Sequence, residues 1–394
     1  MRLITAICAM ACALGALLLS RAPALAAGTY HQAQVDCRFL ASPRAVRGDD
    51  GKVHLGYELR ITGFYSGDKP LRLTRLAIYA DGAATPLRVI DGDALPSLLR
   101  SPPDDKAPGI AIREGQSTTL YLWLTLPSGT RPVSLRHQLD FAEPDSGSER
   151  ADNVRLSVVP AAPVVIGPPL RGGRWLAVEG PGNHRSHHWG SLVAIGGVLS
   201  IPQRFAIDWF GLDAGNHSVR GTHDSLAATT DRDWVGYRSH VLAVADGVVV
   251  DVRDGAPDGK PLAPMATPDD LTARTLYGNF VVIRIAPGVY AHYAHLDRGS
   301  IKVRIGQRVR RGMVIGLLGQ TGAAGAPHLH FHLSDRATFE QSEGLPYAID
   351  AFTALGSTNV EATFDPATPV VLGRSPAGKR RSAMPLDGSV VTFP

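Results

Sequence analysis

From about residue 28 to residue 160, apolar and polar positions alternate in short runs. The clearest are Val53-His54-Leu55-Gly56-Tyr57-Glu58-Leu59-Arg60-Ile61 and Thr118-Thr119-Leu120-Tyr121-Leu122-Trp123-Leu124. Turn formers such as Ser66-Gly67-Asp68, Asp91-Gly92-Asp93 and Pro127-Ser128-Gly129 interrupt them. Successive side chains of a strand point to opposite faces, so a period of two with frequent turns predicts an antiparallel β-sandwich. Nothing in this stretch clusters like a reactive site, and it reads as a spacer or binding module.

Pro160-Ala161-Ala162-Pro163 and Gly167-Pro168-Pro169 predict a linker over 161–179. The region 180–356 again reads as β. Residues 240–250 look like two strands joined at Asp246-Gly247, and Asn279 to Ile285 like another. Gly and Val punctuate 306–316 in the manner of a compact β-fold. The segment 357–394 is rich in Pro and Gly and carries an exposed Lys379-Arg380-Arg381, so it is expected to be a loosely ordered tail. The predicted fold class is therefore all-β, a sandwich followed by a second antiparallel β-sheet domain.

Residues 1–26 have the form of an export signal: Arg2, an apolar run from Leu3 to Ser20, then the small-x-small site Ala24-Leu25-Ala26. Its removal would take away Cys8 and Cys12 and leave Cys37 as the one thiol. A single thiol forms neither an internal disulfide nor a cysteine-type zinc site. No later apolar stretch is long enough to span a bilayer, so a periplasmic or secreted protein is expected. Forty Lys+Arg against 36 Asp+Glu leave a net +4, with no basic block interleaved with aromatics. That balance argues against a nucleic-acid partner.

Histidines sharpen the picture. His31, His54 and His137 precede residue 184 and none follows His332, so eleven of the 14 lie in between. A metal or acid–base site belongs there. In His328-Leu329-His330-Phe331-His332 the three imidazoles would share one strand face, with Leu329 and Phe331 in the core. An H-x-H strand gives one metal two neighbouring imidazoles, or a ligand and a base. Tyr293-Ala294-His295-Leu296 ends a strand before the turn Asp297-Arg298-Gly299, and Phe205-Ala206-Ile207-Asp208-Trp209 sets a carboxylate in an apolar strand. A buried Asp needs a partner, either a metal, a hydrogen bond or the nearby Arg204. The three-residue offset of His292 from His295 places it on the opposite strand face.

In this order, Asp208, Ala245-Asp246-Gly247-Val248-Val249, Tyr293-Ala294-His295-Leu296, Gly306…Val309…Gly312, Gly319-x-Thr321-Gly322 and His328-Leu329-His330-Phe331 resemble the lysostaphin/LytM-type zinc endopeptidases. These cleave the peptide part of peptidoglycan. The likeness covers roughly residues 180 to 352. It implies a LytM-like sheet domain, one Zn2+ held by a His, an Asp and the second His of H-x-H, and peptidoglycan as substrate. Carried over, Asp208 and His330 become ligands, and His295 and His328 the catalytic pair.

One position departs from that pattern. The first ligand usually stands four residues before the Asp, where this chain has Arg204, a cation that cannot ligate another. Either the imidazole comes from the upstream loop Asn183-His184-Arg185-Ser186-His187-His188-Trp189, or the site binds no metal. From that loop His188 is the first choice, then His187 and His184. In the metal-free case the protein would be a regulator that binds another cell-wall hydrolase.

Overall fold

The computed structural model describes residues 30–394 except 67–68, 102, 128, 144–146, 264–271, 359, 361–367 and 374. The expected export signal lies outside the described residues. The chain is nearly all β.

The predicted sandwich is present. Its main strands are β1 (Val35–Phe39), β2 (Val53–Gly63), β3 (Leu71–Ala80), β4 (Ser117–Leu126), β5 (Ser134–Glu143) and β6 (Gly147–Ser157). β2 pairs with β1 and β4 in one sheet, and β5 lies between β3 and β6 in the other. Alternation sorts each strand as the sequence requires. Leu55, Tyr57, Leu59 and Ile61 of β2 join Leu120, Leu122, Leu124 and Leu126 of β4 in the core between the sheets.

The outward faces of β2 and β4 are buried too, which an open sandwich would not need. Glu58 is 0% exposed, and His54 and Tyr121 are buried. The second domain covers this face, through Trp189 and Ile201, which pack with Tyr121.

That domain is built on β7 (Gly172–Val178), β8 (Ile207–Leu212), β9 (Gly247–Arg253), β10 (Phe280–Ala286), β11 (Val289–Ala294), β12 (Leu329–Ser334), β13 (Tyr347–Ser357) and β14 (Ser389–Phe393). They run in the order β13-β14-β7-β8-β12-β11-β10-β9 within one large sheet. Two expectations need correcting. The segment 161–179 is not only a linker, because it supplies Val164–Ile166 and β7 to this sheet. The segment 357–394 is not a loose tail, because β14 lies between β13 and β7, and Gly378–Ala383 pairs with β13. Val390 and Val391 are fully buried there. Short apolar runs such as Ser389-Val390-Val391-Thr392-Phe393 gain a place through burial that the surrounding Pro and Gly content conceals.

The centre of this sheet carries the chemistry-bearing segments. Antiparallel pairing sets Asp208 of β8 opposite His330 of β12. On the other side of β12, β11 sets His292 opposite His332 and Ala294 opposite His330. Leu329, Phe331, Leu333, Trp209 and Tyr293 fill the core beneath, leaving the polar residues to one face.

Candidate metal centre

Asp208 is the hub. Its Oδ1 lies 2.9 Å from His330 Nδ1, 3.4 Å from His188 Nε2 and 3.4 Å from His328 Nε2. His188 Nε2 is in turn 3.1 Å from His330 Nδ1. All four side chains are buried. A tetrahedral zinc with ligands at 2.0–2.1 Å spaces its donor atoms roughly 3.3 Å apart. The mutual separations of the His188, Asp208 and His330 donors fall within a few tenths of that, so the donor set fits such an ion.

Backbone carbonyls fix how the rings face. A carbonyl oxygen only accepts, so the ring nitrogen beside it carries the hydrogen. His188 Nδ1 donates to Glu179 O at 2.9 Å, His295 Nδ1 to Thr321 O at 2.8 Å and His328 Nδ1 to Ala326 O at 2.8 Å. In each neutral ring the lone pair then sits on Nε2. His328 Nε2 is buried without a hydrogen-bond partner, an acceptor left for a ligand or a proton. Such carbonyl contacts orient metal-site histidines and raise their basicity. His330 is reversed, presenting Nδ1 to Asp208, with Nε2 lying 2.9 Å from His332 Nδ1 and 3.1 Å from Gln203 Nε2.

His295 reaches the same face by an unusual backbone. It follows the last residue of β11 and adopts φ 61, a left-handed conformation that costs a non-glycine residue about 1–3 kcal/mol. Its ring centroid lies 4.7 Å from that of His328 and 5.9 Å from that of His330. The break in alternation explains why the three-residue offset misleads. His292 is not on the opposite face from the site, because its ring stacks on His332 at 4.4 Å and 8°. His292 Nε2 lies 2.8 Å from Ser334 Oγ, so the ring belongs to a buried network behind His330.

The loop upstream of β8 delivers His188 and parts its neighbours. His187 stands at the rim, its side chain 60% exposed, with Nε2 3.7 Å from Asp208 Oδ2. His187, His188 and Asp208 offer ligand atoms all within 4.8 Å of one another, so His187 stays within reach as a substitute. His184 turns instead to the sandwich, stacked on Tyr121 with ring centroids 6.0 Å apart. Arg204 does not pair with Asp208. Its guanidinium bonds Glu58 at 2.8 and 2.9 Å and Glu343 at 2.6 Å.

Charge follows from this arrangement. Burial works against ionisation of Asp208, yet the His328 and His188 rings beside it hold its pKa well below the usual carboxylate value. Burial, then the neighbouring His328 and His330, holds the His295 pKa well below that of a free imidazole. Burial brings His330 down to about 4. Sequence reasoning missed the carbonyls of Glu179, Thr321 and Ala326 and the contact of Gln203, since none has a local signature, whereas His332 stands on the face of His330 that strand alternation gives it.

Comparison with known proteins bears on the part of the chain that carries His295, His328 and His330. Residues 235–341 match the sequence profile described as Peptidase family M23, which places that segment in the lysostaphin/LytM type. The DD-carboxypeptidase/endopeptidase Mpg of Neisseria meningitidis serogroup B is 37% identical over 100 residues, 24% of this chain and 22% of that protein. The peptidoglycan DD-endopeptidase ShyC of Vibrio cholerae is 39% identical over 79 residues, 18% of each chain. This chain therefore spans only about a fifth of the curated relatives it matches. The catalytic domain of lysostaphin from Staphylococcus simulans covers 39% of this chain and 80% of its own at 18% identity, with a TM-score of 0.21.

Proposed function

We propose that this chain, whose residues 235–341 are of the M23 type, is a zinc-dependent endopeptidase that hydrolyses peptide bonds of peptidoglycan in the periplasm or outside the cell. The observation that carries the reading is the convergence of His188 Nε2, Asp208 Oδ1 and His330 Nδ1, separated by 2.9 to 3.4 Å. A zinc ion with three protein ligands supplies Lewis-acid polarisation of a carbonyl and lowers the pKa of water to about 7.

The chain's own groups account for the rest. Asp208 contributes the negative charge that balances the cation, and its burial keeps that charge from being screened. The Ala326 and Thr321 carbonyls take the Nδ1 hydrogens of His328 and His295, so in the neutral ring the lone pair is on Nε2. Either ring can accept the proton of an attacking water there. Once protonated, it donates to the developing oxyanion or to the leaving amine. Two such rings 4.7 Å apart divide these tasks between neighbours.

A regulator that binds another wall hydrolase is the second reading, and Arg204 at the usual ligand position is what favours it. Metal analysis separates the two. The endopeptidase requires stoichiometric zinc in purified protein, its loss in His330→Ala, and defined peptide products from purified sacculi identified by mass. Zinc-free wild type that leaves sacculi intact overturns the enzyme.

A further inference from the structure

Glu58 sits on β2 with its side chain turned away from the sandwich core, and it is fully buried. Its carboxylate accepts from three donors of the second domain. Trp189 Nε1 donates to Oε1, Arg204 Nε donates to Oε1 at 2.8 Å, and Arg204 Nη2 donates to Oε2 at 2.9 Å. A buried carboxylate is tolerated only when so paired. What it pairs with is telling. Trp189 is the chain neighbour of His188, and Arg204 occupies the position where the resemblance places a zinc ligand.

The sandwich grips the same loop by other means. Trp189 packs edge-on against Tyr121 and Trp123 of β4, with ring centroids 5.9 and 5.7 Å away. Tyr121 Oη donates to Gly190 O at 3.2 Å. Residues 189 and 190 are thus clamped by one domain while His188 faces Asp208 in the other. A free surface loop would lose conformational freedom on each binding event, whereas a clamped one has lost it on folding.

We infer that Glu58 is a positioning residue for the metal centre: with Arg204 balancing its charge, it holds Trp189 and so the His188 loop, and the sandwich thereby fixes where His188 meets Asp208 and His330. The inference rests on the zinc reading above. It makes the sandwich part of the site's assembly rather than a spacer.

The test uses the full chain as wild type, His188→Ala, Glu58→Gln and Trp189→Phe. Zinc affinity is measured by chelator competition, coordination by the absorption of the Co2+-substituted protein, and folding by thermal melting. Trp189→Phe removes the indole donor but keeps the Glu58–Arg204 pair, so it decides the matter if Glu58→Gln does not fold. The expected result is zinc binding about 10–100-fold weaker in both variants, as for other groups that orient ligands. Their Co2+ spectra should shift toward that of His188→Ala. Folded variants with wild-type affinity and an unchanged spectrum overturn the inference, because a purely structural role would move only the melting temperature. Wild type without zinc affinity overturns the zinc reading itself, and this inference with it.

Discussion

At the scale of single residues, the proposed function assigns some side chains to hold a cation and others to move a proton. His188, Asp208 and His330 meet one another, and His295 and His328, each tethered to a carbonyl through Nδ1, stand beside them, His328 Nε2 lying 3.4 Å from Asp208 Oδ1. Replacing His328 or His295 by Ala should leave zinc stoichiometry unchanged while lowering kcat/KM by about 10²–10⁴-fold, the usual share of a general acid or base. Asp208→Ala should lose both zinc and activity. Metal analysis beside sacculus digestion distinguishes these outcomes. The H-x-H spacing and the lone carboxylate in an apolar strand were legible because strand alternation is local. Glu58 as the partner of Arg204 was not, since 146 residues separate them.

At the scale of elements, turns and pairings set the angles at which those side chains arrive. Gly278 (φ 64) lies against the Thr321 backbone, where an added Cβ would come within 2.3 Å of the Thr321 carbonyl carbon. Thr321 O is the acceptor that holds the His295 ring. Gly278→Ala should therefore destabilise the protein by at least about 1–3 kcal/mol and lower kcat more than KM, as thermal melting and kinetics would show.

In the sandwich, His137 on β5 joins the two sheets. Its Nδ1 donates to Val154 O at 3.1 Å, and its Nε2 accepts from Tyr57 Oη on β2 at 2.8 Å. Burial lowers its pKa from 6.5 to about 4. The unfolded chain therefore takes up a proton below pH 6.5 that the folded one refuses until about pH 4. Stability from this group is full above pH 6.5 and falls by about 3 kcal/mol as pH drops through that window. His137→Gln should flatten that part of the pH–stability curve in denaturant titrations.

At the scale of the whole molecule, both ends of the second domain's sequence return to one sheet. β14 lies between β13 and β7, next but one to the strand that carries Asp208. Deleting residues 378–394 should abolish the cooperative unfolding transition of the second domain and its zinc binding, whereas removal of a loose tail would spare both. Calorimetry with metal analysis reads the difference. Among the described residues no helix is long and apolar enough to cross a membrane.

The sequence by itself determined that the chain is all-β and that a sandwich precedes a second sheet, and it singled out Asp208, His295, His328 and His330, whose expected roles came from the family resemblance. The fold class and the shared face of His328 and His330 follow from short-range pattern, because alternation dictates which face a side chain takes. Tertiary structure decided that His188 rather than His184 faces Asp208, that Arg204 is held by a carboxylate of the other domain, and that the supposed tail supplies a strand paired on both sides. Those outcomes depend on where distant segments pack, and the free energy that selects them is burial and pairing shared between residues far apart in the chain. No local spacing encodes it.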